Sequence, residues 1–593
     1  MGESELKICD VLKYNQDIAP FPLVKIYSGV GSGKSYFAAK MITGSKEHGI
    51  PKQNVLIVTS RRSKVNETLL ELGVKAKPTI TVNGNLSKEV WETGDLYPNE
   101  YEEYLKEIKV KTEWGEFSFS TYNKSVVCTN AYISAYLRHT YNPDDPMTHI
   151  WNKFDAIIID EVHSLVTDAT YQPATYDVLC FIKEYLNRYQ NKQLQKCAAK
   201  HLIIMSGTPQ PFDACKLYDF SEELTHKMSL FKKCKNVVPK NIILIDALSA
   251  KNRIKHLLQN GEKVIYFTNH TMTESSAKES LNLSESIDIA VSFSDEEKRR
   301  KLPEKELKKL KEVEHELSDN SIIPDYVQLF VTTSRNKEGI NINNTDYHNM
   351  FVETHLMYDV VQMAGRVRNG VDNLFIITDA GQFEYENNLV DILFSKKAMV
   401  KNDEYANSDD ESNKYLRLEY LENEKELSLP YEDRRNHIMN YVKYIEDRFQ
   451  YIRYNVFSRN FEFFYAKQKA ENMARLQLEN FKKAISSDNN KFFENWFPES
   501  NIIRELSLEE QGKVYLDNLI GKKAFIEIPK EEMQKHICFI KRLFNSPLKS
   551  FNPILHLVDA DYHCIESGHN YVLYHGKEDP RTKKKHMKTR RKP

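Results

Sequence analysis

Four short motifs follow one another along the 593 residues. They are Gly29-Val30-Gly31-Ser32-Gly33-Lys34-Ser35, Asp160-Glu161-Val162-His163, Ser206-Gly207-Thr208 and Gln362-Met363-Ala364-Gly365-Arg366-Val367-Arg368. In the first, glycines let the backbone curl so that N–H groups face phosphate oxygens, and the following helix adds its positive end. Gly29, Gly31, Ser32 and Gly33 form that cradle, Lys34 reaches the β- and γ-phosphates, and the Ser35 hydroxyl suits Mg²⁺. The strict pattern asks for glycine six residues before Lys34, where Ser28 stands. Asp160 and Glu161 close the apolar run Ala156–Ile159, an odd end for a buried strand unless a cation waits there. Asp160 then belongs to the Mg²⁺ shell and Glu161 polarises the attacking water. Arginine makes planar, multidentate contacts with phosphate, so Arg366 and Arg368, with Gln362, are candidates to meet a transferring phosphoryl group from across a cleft. His163, Ser206 and Thr208 are candidate links between this site and the rest of its lobe. Together the set calls for ATP and Mg²⁺.

The elements that must position these residues are short strands buried on both faces. Leu23–Tyr27, Val55–Thr59, Ser125–Cys128, Ala156–Ile159 and Leu202–Met205 are apolar runs that each end at a motif, as parallel strands with ligands at their carboxyl ends do. A second set begins near 261: Lys263–Phe267, Ile287–Val291, Val327–Thr332, Asn349–Glu353 and Asn373–Thr378. Ser294–Ser318, rich in Lys, Glu and Leu, reads as an exposed helix. The expected fold is α/β, two tandem RecA-like parallel-sheet lobes followed by a mainly helical C-terminal region. The boundaries are 1–245 for the first lobe, with an acidic, aromatic insert at about 70–120 read as a small subdomain or hairpin; 246–395 for the second; 396–579 for the helical region; and 580–593 for a basic tail. That tail carries eight basic residues and no acidic one, and suits a non-specific phosphate contact or a nuclear address.

The composition bounds the partners. A chain this long needs several domains. A net charge of −1 excludes a uniformly basic nucleic-acid binder but leaves room for a basic groove. The eight cysteines form no Cys-x-x-Cys pair, which argues against a zinc ribbon or a disulfide framework and favours a cytoplasmic or other reducing compartment. No signal peptide or membrane-length apolar run is present, so no membrane partner is expected.

Taken together the motifs resemble a superfamily 2 helicase of the DEAH/DExH kind. The resemblance covers roughly residues 22–385. It assigns Lys34 and Ser35 to motif I, Asp160–His163 to motif II, Ser206–Thr208 to motif III and Gln362–Arg368 to motif VI. Thr332-Thr333 with Glu338-Gly339-Ile340-Asn341 is similar to motif V, which implies a nucleotide contact at Gly339. Val55–Arg62 and Val127–Asn130 are similar to motifs Ia and Ib. With Thr332, they imply nucleic-acid contacts at Arg61, Arg62 and Thr129. One departure concerns the last motif, whose two arginines usually have two residues between them. Here only Val367 separates Arg366 from Arg368, and either could be the finger. Gln-Met-Ala-Gly-Arg-Val-Arg, with Thr59-Ser60-Arg61-Arg62-Ser63, is similar to replication-origin-binding helicases of the herpesvirus type and their relatives in mobile elements.

The resemblance implies an ATP-dependent helicase or translocase acting on single-stranded or partly duplex DNA in preference to RNA, with replication or defence proteins as partners. Two other readings fit the same motifs. One is the motor subunit of a restriction, defence or packaging complex that translocates without unwinding. The other is a nucleic-acid-binding switch timed by ATP. Tyr441–Tyr465 interleaves aromatic with basic residues, a pattern that can stack bases. Aromatics at three- and four-residue spacing also pack as a helical core, and that is the favoured reading.

Overall fold

The computed structural model describes residues 6–378, 442–576 and 580, with breaks at 62–63, 66–67, 69–70, 73–78, 84–105, 113–114, 123–124, 197, 216–223, 235–236, 294–295, 334–339, 444–445, 447–450, 488, 507, 522, 545 and 547. The predicted phosphate cradle, acidic pair and arginines are all within it. Gly339, Arg62 and the basic tail lie outside the described residues.

The first lobe is built on β1 (Leu23–Tyr27), β2 (Val55–Thr59), β3 (Thr79–Asn83), β4 (Lys106–Thr112), β5 (Gly115–Tyr122), β6 (Ser125–Thr129), β7 (Ala156–Ile159), β8 (His201–Ser206) and β9 (Thr225–Ser229). They form one sheet in the order β3-β4-β5-β6-β2-β7-β8-β1-β9. From β6 to β9 every pairing is parallel. Side chains alternate between two cores. Leu56, Val58, Ile157, Ile159, Leu202 and Ile204 face one, and Val55, Ile57, Ala156, Ile158, Ile203 and Met205 face the other. With both faces covered, no position is left for an alternating polar residue, which is why these strands read as unbroken apolar runs. In the insert, β4 and β5 form an antiparallel hairpin that extends the sheet beyond β6.

The second lobe repeats the plan with β10 (Asn241–Ile245), β11 (Val264–Thr268), β12 (Ile289–Ser292), β13 (Leu329–Thr333), β14 (Asn349–Val352) and β15 (Asn373–Ile377), and it begins before the expected boundary at 246 because β10 pairs with β15. All of its described pairings are parallel, in the order β12-β13-β11-β14-β15-β10. Ile265 and Phe267 enter one core, Val264 and Tyr266 the other. The helix Glu304–Asp319, expected to be exposed, buries Leu310, Val313 and Leu317. Its three- and four-residue apolar spacing makes a narrow stripe that the surrounding charge obscures.

The C-terminal region is mainly helical, and parts of it complete the two lobes. A hairpin, β16 (Ile452–Asn455) with β17 (Asn460–Phe463), leads into the 22-residue helix Tyr465–Ser486. Tyr454, Phe464, Ala466 and Ala470 join the first lobe's core, and Leu478, Phe481 and Ala484 join the second's. β18 (Asn501–Arg504) then pairs in parallel with β10 as the edge of the second sheet. The aromatic–basic stretch expected as a helical core is instead largely the β16–β17 hairpin, part of it buried and part, with Arg459 and Tyr465, exposed. Tyr451, Tyr454 and Phe464 are buried, and Arg138 pairs with both Asp177 and Glu446 at 2.7 and 2.8 Å. Residues 508–576 gather a separate small core, with Leu516, Ile537, Ile554 and Leu573 at its centre. Its antiparallel sheet orders β19 (Ile526–Pro529), β20 (Tyr562–Ser567) and β21 (Asn570–His575) as β19-β21-β20. Among the described residues no helix is long and apolar enough to cross a membrane.

Candidate active site

β1 ends at Tyr27, and the chain turns into the cradle. Gly31 and Gly33 adopt φ of +84° and +87°, a region that costs residues with a Cβ roughly 1–2 kcal/mol. Gly33 caps the helix Lys34–Thr43. Ser28 does not share that positive φ, so the glycine the strict pattern asks for has no conformational purpose here. Instead the Ser28 N–H donates to Ser206 O at 3.1 Å, and its hydroxyl lies 2.8 Å from Ser32 Oγ. Lys34 is buried, with Nζ donating to Gly29 O at 3.2 Å and lying 4.0 Å from Glu161 Oε1.

Asp160 and Glu161 leave the carboxyl end of β7 at the same sheet edge. Glu161 has φ of +53°, a left-handed conformation that non-glycine residues keep mainly where surrounding contacts enforce it. The turn directs its carboxylate between Lys34 and His163, whose Nδ1 is 3.4 Å from Glu161 Oε2. His163 Nδ1 lies 3.0 Å from Ser206 Oγ, and that oxygen accepts from the Thr208 N–H at 3.0 Å. The three residues expected to link the site to its lobe thus form one connected set.

The set continues into the second lobe. On the helix Met357–Ala364, Gln362 Nε2 donates to Thr208 Oγ1 at 3.1 Å, and its Oε1 accepts from Arg366 Nη2 at 3.1 Å. Gly365 meets the cradle directly, since a Cβ there would lie 2.3 Å from Val30 Cγ1. The segment joining the lobes also touches the cradle, the Val237 N–H donating to Val30 O at 3.1 Å. Arg366 is buried, while half-buried Arg368 donates to Gly365 O at 3.5 Å and to Asn341 Oδ1. A cavity of ≈250 Å³ remains between the lobes, lined by Lys34, Ser35, Lys64, Glu161, Arg366 and Arg368 among others. A larger hollow of ≈1020 Å³ lies at the opposite edge of the first sheet and contains none of the motif residues.

The charge balance of this cavity suits a polyphosphate. Lys7, Lys34, Lys64, Arg366 and Arg368 line it against Glu71 and Glu161, and Asp160 lies 3.9 Å from Lys64 Nζ. Burial lowers the pKa of Lys34, opposed by Glu161 and Asp160, and the net shift is downward. Burial pushes the Glu161 carboxyl up, but Lys34 and then His163, Lys64 and Arg366 outweigh it and hold the group below the usual carboxylate range. An ionised Glu161 beside cationic neighbours is the state needed to orient a nucleophilic water.

The residues expected to touch nucleic acid are less uniform. Arg61 donates to Tyr171 Oη at 3.2 Å and lies 3.9 Å from Asp168 Oδ2, which ties the end of β2 to a neighbouring loop. Thr129 is half-buried at the start of the helix Asn130–His139. Thr332 is buried in β13 and its hydroxyl donates to Ser292 O at 3.0 Å, so it serves sheet pairing rather than a surface open to a strand. Sequence reasoning missed Lys64. Its Nζ lies 3.5 Å from Ser35 Oγ and 3.9 Å from Asp160 Oδ2, and no spacing rule marks it.

With this geometry in view, residues 21–211 match the family described as "Type III restriction enzyme, res subunit". No curated protein matches the chain. Among solved structures, Dbp5 of S. cerevisiae bound to RNA and ADP BeF3 is 14% identical, with 66% of this chain and 88% of that one covered, at a TM-score of 0.38. The Escherichia coli DEAH/RHA helicase HrpB is 12% identical over 63% of this chain and 42% of that one, at 0.37. A DEAD box protein from Methanococcus jannaschii is 13% identical over 66% and 90%, at 0.34. The matched segment holds the cradle and the acidic pair, and the second lobe supplies Gln362 and both arginines. Together they supply the lysine, carboxylates and arginines that hydrolysis of a nucleoside triphosphate calls for.

Proposed function

We propose that this chain is an ATP-driven motor that moves along or unwinds DNA. The observation that carries the reading is the path from Glu161 through His163, Ser206 and Thr208 to Gln362 and Arg366. It joins the water-polarising carboxylate of one lobe to an arginine of the other, so the relative position of the lobes is sensitive to what occupies the cavity between them. A step along a strand requires the two lobe arrangements to differ in their affinity for that strand, and this path is where nucleotide chemistry can bias them. The family matched by residues 21–211 is described as a restriction-enzyme subunit, which favours DNA over RNA and keeps the second reading in play, a motor subunit that translocates without unwinding.

Ser35 and Asp160 would hold Mg²⁺, a hard cation that takes oxygen ligands. The donor set fits, because a hydroxyl and a carboxylate face the same point and the Lys64 ammonium already stands near it as a cation. Bound there with ATP, the metal supplies charge neutralisation for the phosphates. Glu161 orients and polarises the water, Lys34 holds the phosphates, and Arg366 and Arg368 meet the transferring group from the second lobe.

The test is strand displacement on DNA and RNA duplexes with either overhang, alongside ATP turnover with and without nucleic acid. DNA-stimulated turnover with displacement of one overhang polarity is expected. DNA-stimulated turnover without displacement supports the non-unwinding motor, and turnover indifferent to any nucleic acid overturns both.

A further inference from the structure

We propose that Lys64 is a resident counter-ion of the metal seat, a cation that holds the space between Ser35 and Asp160 until Mg²⁺ enters with nucleotide. This inference rests on the ATP-site reading above. Lys64 is buried, and its Nζ lies 3.5 Å from Ser35 Oγ and 3.9 Å from Asp160 Oδ2, the hydroxyl and carboxylate that face the metal position. Lys34, the cradle lysine, is directed elsewhere, toward the carbonyls of Ser28 and Gly29 and toward Glu161 Oε1. The two lysines divide the acidic pair between them, Lys34 nearest Glu161 and Lys64 nearest Asp160.

Buried carboxylates left without a cation are costly, so a site meant to receive Mg²⁺ needs a placeholder when it is empty, and Lys64 meets that need. An ammonium and a divalent cation repel strongly at such separations in a buried site. The two therefore compete for Asp160. Mg²⁺ entering the seat would displace the ammonium from Asp160. Two consequences follow. Lys64 lowers the apparent affinity for Mg²⁺, and it supports nucleotide binding when metal is lacking by offering the phosphates a second ammonium beside Lys34.

The experiment measures binding of a fluorescent, non-hydrolysable ATP analogue to the full chain, first in EDTA and then across a Mg²⁺ titration, for wild type, Lys64→Met and Lys64→Gln. Both substitutions are expected to lower the Mg²⁺ midpoint about 5- to 10-fold and to weaken metal-free binding about 10-fold, on the scale of one lost charge-assisted contact. Mg²⁺ alone should raise the melting temperature of the variants more than that of wild type. Midpoints and metal-free affinities within about two-fold of wild type would overturn the proposal. So would an equal loss of affinity with and without metal, which makes Lys64 an ordinary phosphate ligand. Should neither variant fold, wild type still decides the matter, because the proposal fails if chelation removes nucleotide binding altogether. Lys34→Ala separates this from the underlying reading: an unchanged nucleotide affinity in that variant would sink the ATP site itself and leave the Lys64 question moot.

Discussion

Two of the contacts between the lobes are of opposite character. At the cleft the junction is polar and small, a Gln362–Thr208 hydrogen bond, the Val30–Gly365 approach and two arginines around a cavity. Packed against the helix Ser164–Thr167 and bonded through Gln477 to the start of the helix Met357–Ala364, the helix Tyr465–Ser486 buries Ala466 and Ala470 in one core and Leu478 and Phe481 in the other. Burial of apolar surface is nearly indifferent to what occupies the cavity, whereas hydrogen bonds to arginine and glutamine can be exchanged for bonds to phosphate. The contrast assigns the first junction to switching and the second to holding the lobes together while they switch.

The sharpest way to break the comparison is to disable the cleft without touching the strap. Lys34→Ala should abolish ATP turnover with no loss of thermal stability; wild-type turnover in that variant would remove the cradle assignment. Arg366→Ala and Arg368→Ala should each keep nucleotide binding and lose roughly 10³–10⁵ in stimulated turnover, the range for fingers of this kind. Arg368, half-buried against Asn341 and nearer the cradle glycines, is expected to show the larger loss. If both variants hydrolyse within a few-fold of wild type, the two-lobe mechanism fails.

The next effect lies in the strap. Phe481 is fully buried and stacks on His355 at 4.4 Å between ring centres. Phe481→Ala should cost about 3–5 kcal/mol in a denaturant titration, with nucleotide affinity preserved in the protein that remains folded. A selective loss of nucleotide affinity at unchanged stability would mean that the strap belongs to the switch.

A smaller effect is expected at Gln362→Ala. Losing its bonds to Thr208 and Arg366 should cost about 1–3 kcal/mol. That loss should show mainly in nucleic-acid-stimulated turnover and only weakly in unfolding. Equal losses in both measurements would make Gln362 a structural residue.

The smallest is a pH effect in the strap. Burial pushes the Glu471 carboxyl up from 4.5 to about 7, against the pull of its bond from Tyr451 and of Lys467. The folded state therefore holds a proton that the unfolded chain releases, and stability falls as pH rises from about 4.5 to 7. Burial of Lys467 lowers its pKa from 10.5 to about 8, which acts the other way, toward greater stability as pH rises from about 8 to 10.5. Glu471→Gln should flatten the acid-side slope by a few degrees of melting temperature, on the order expected for roughly 1 kcal/mol in a chain of this size. An unaltered slope would assign the pH dependence to other groups.

How much of this was legible beforehand depends on how local each signal is. The cradle, the acidic pair, Gln362 and the two arginines were readable because phosphate chemistry needs particular residue types at fixed short spacings, the first two at the ends of apolar strands and the rest on or just after a helix. The strands themselves were readable because both their faces are buried. The order in which β6, β2, β7, β8 and β1 lie side by side was not, nor was the return of Asn501–Arg504 to a sheet begun at Asn241, since pairing over such distances leaves no local mark. The aromatic run before Tyr465 has one pattern for packing and for base stacking, and only burial against the first lobe separated them. Ser28 and Lys64 depended on tertiary contacts entirely. Ser28 needs no glycine because its backbone simply continues β1 beside Ser206, and Lys64 becomes part of the site because the chain beyond β2 brings an ammonium within reach of a hydroxyl on the helix Lys34–Thr43 and a carboxylate at the end of β7. By itself the sequence marked the residues that meet at the cavity and most of the strands that carry them. Which charges meet, and which lobe contacts can be exchanged, was decided by the fold, because both depend on distances between residues far apart in the chain.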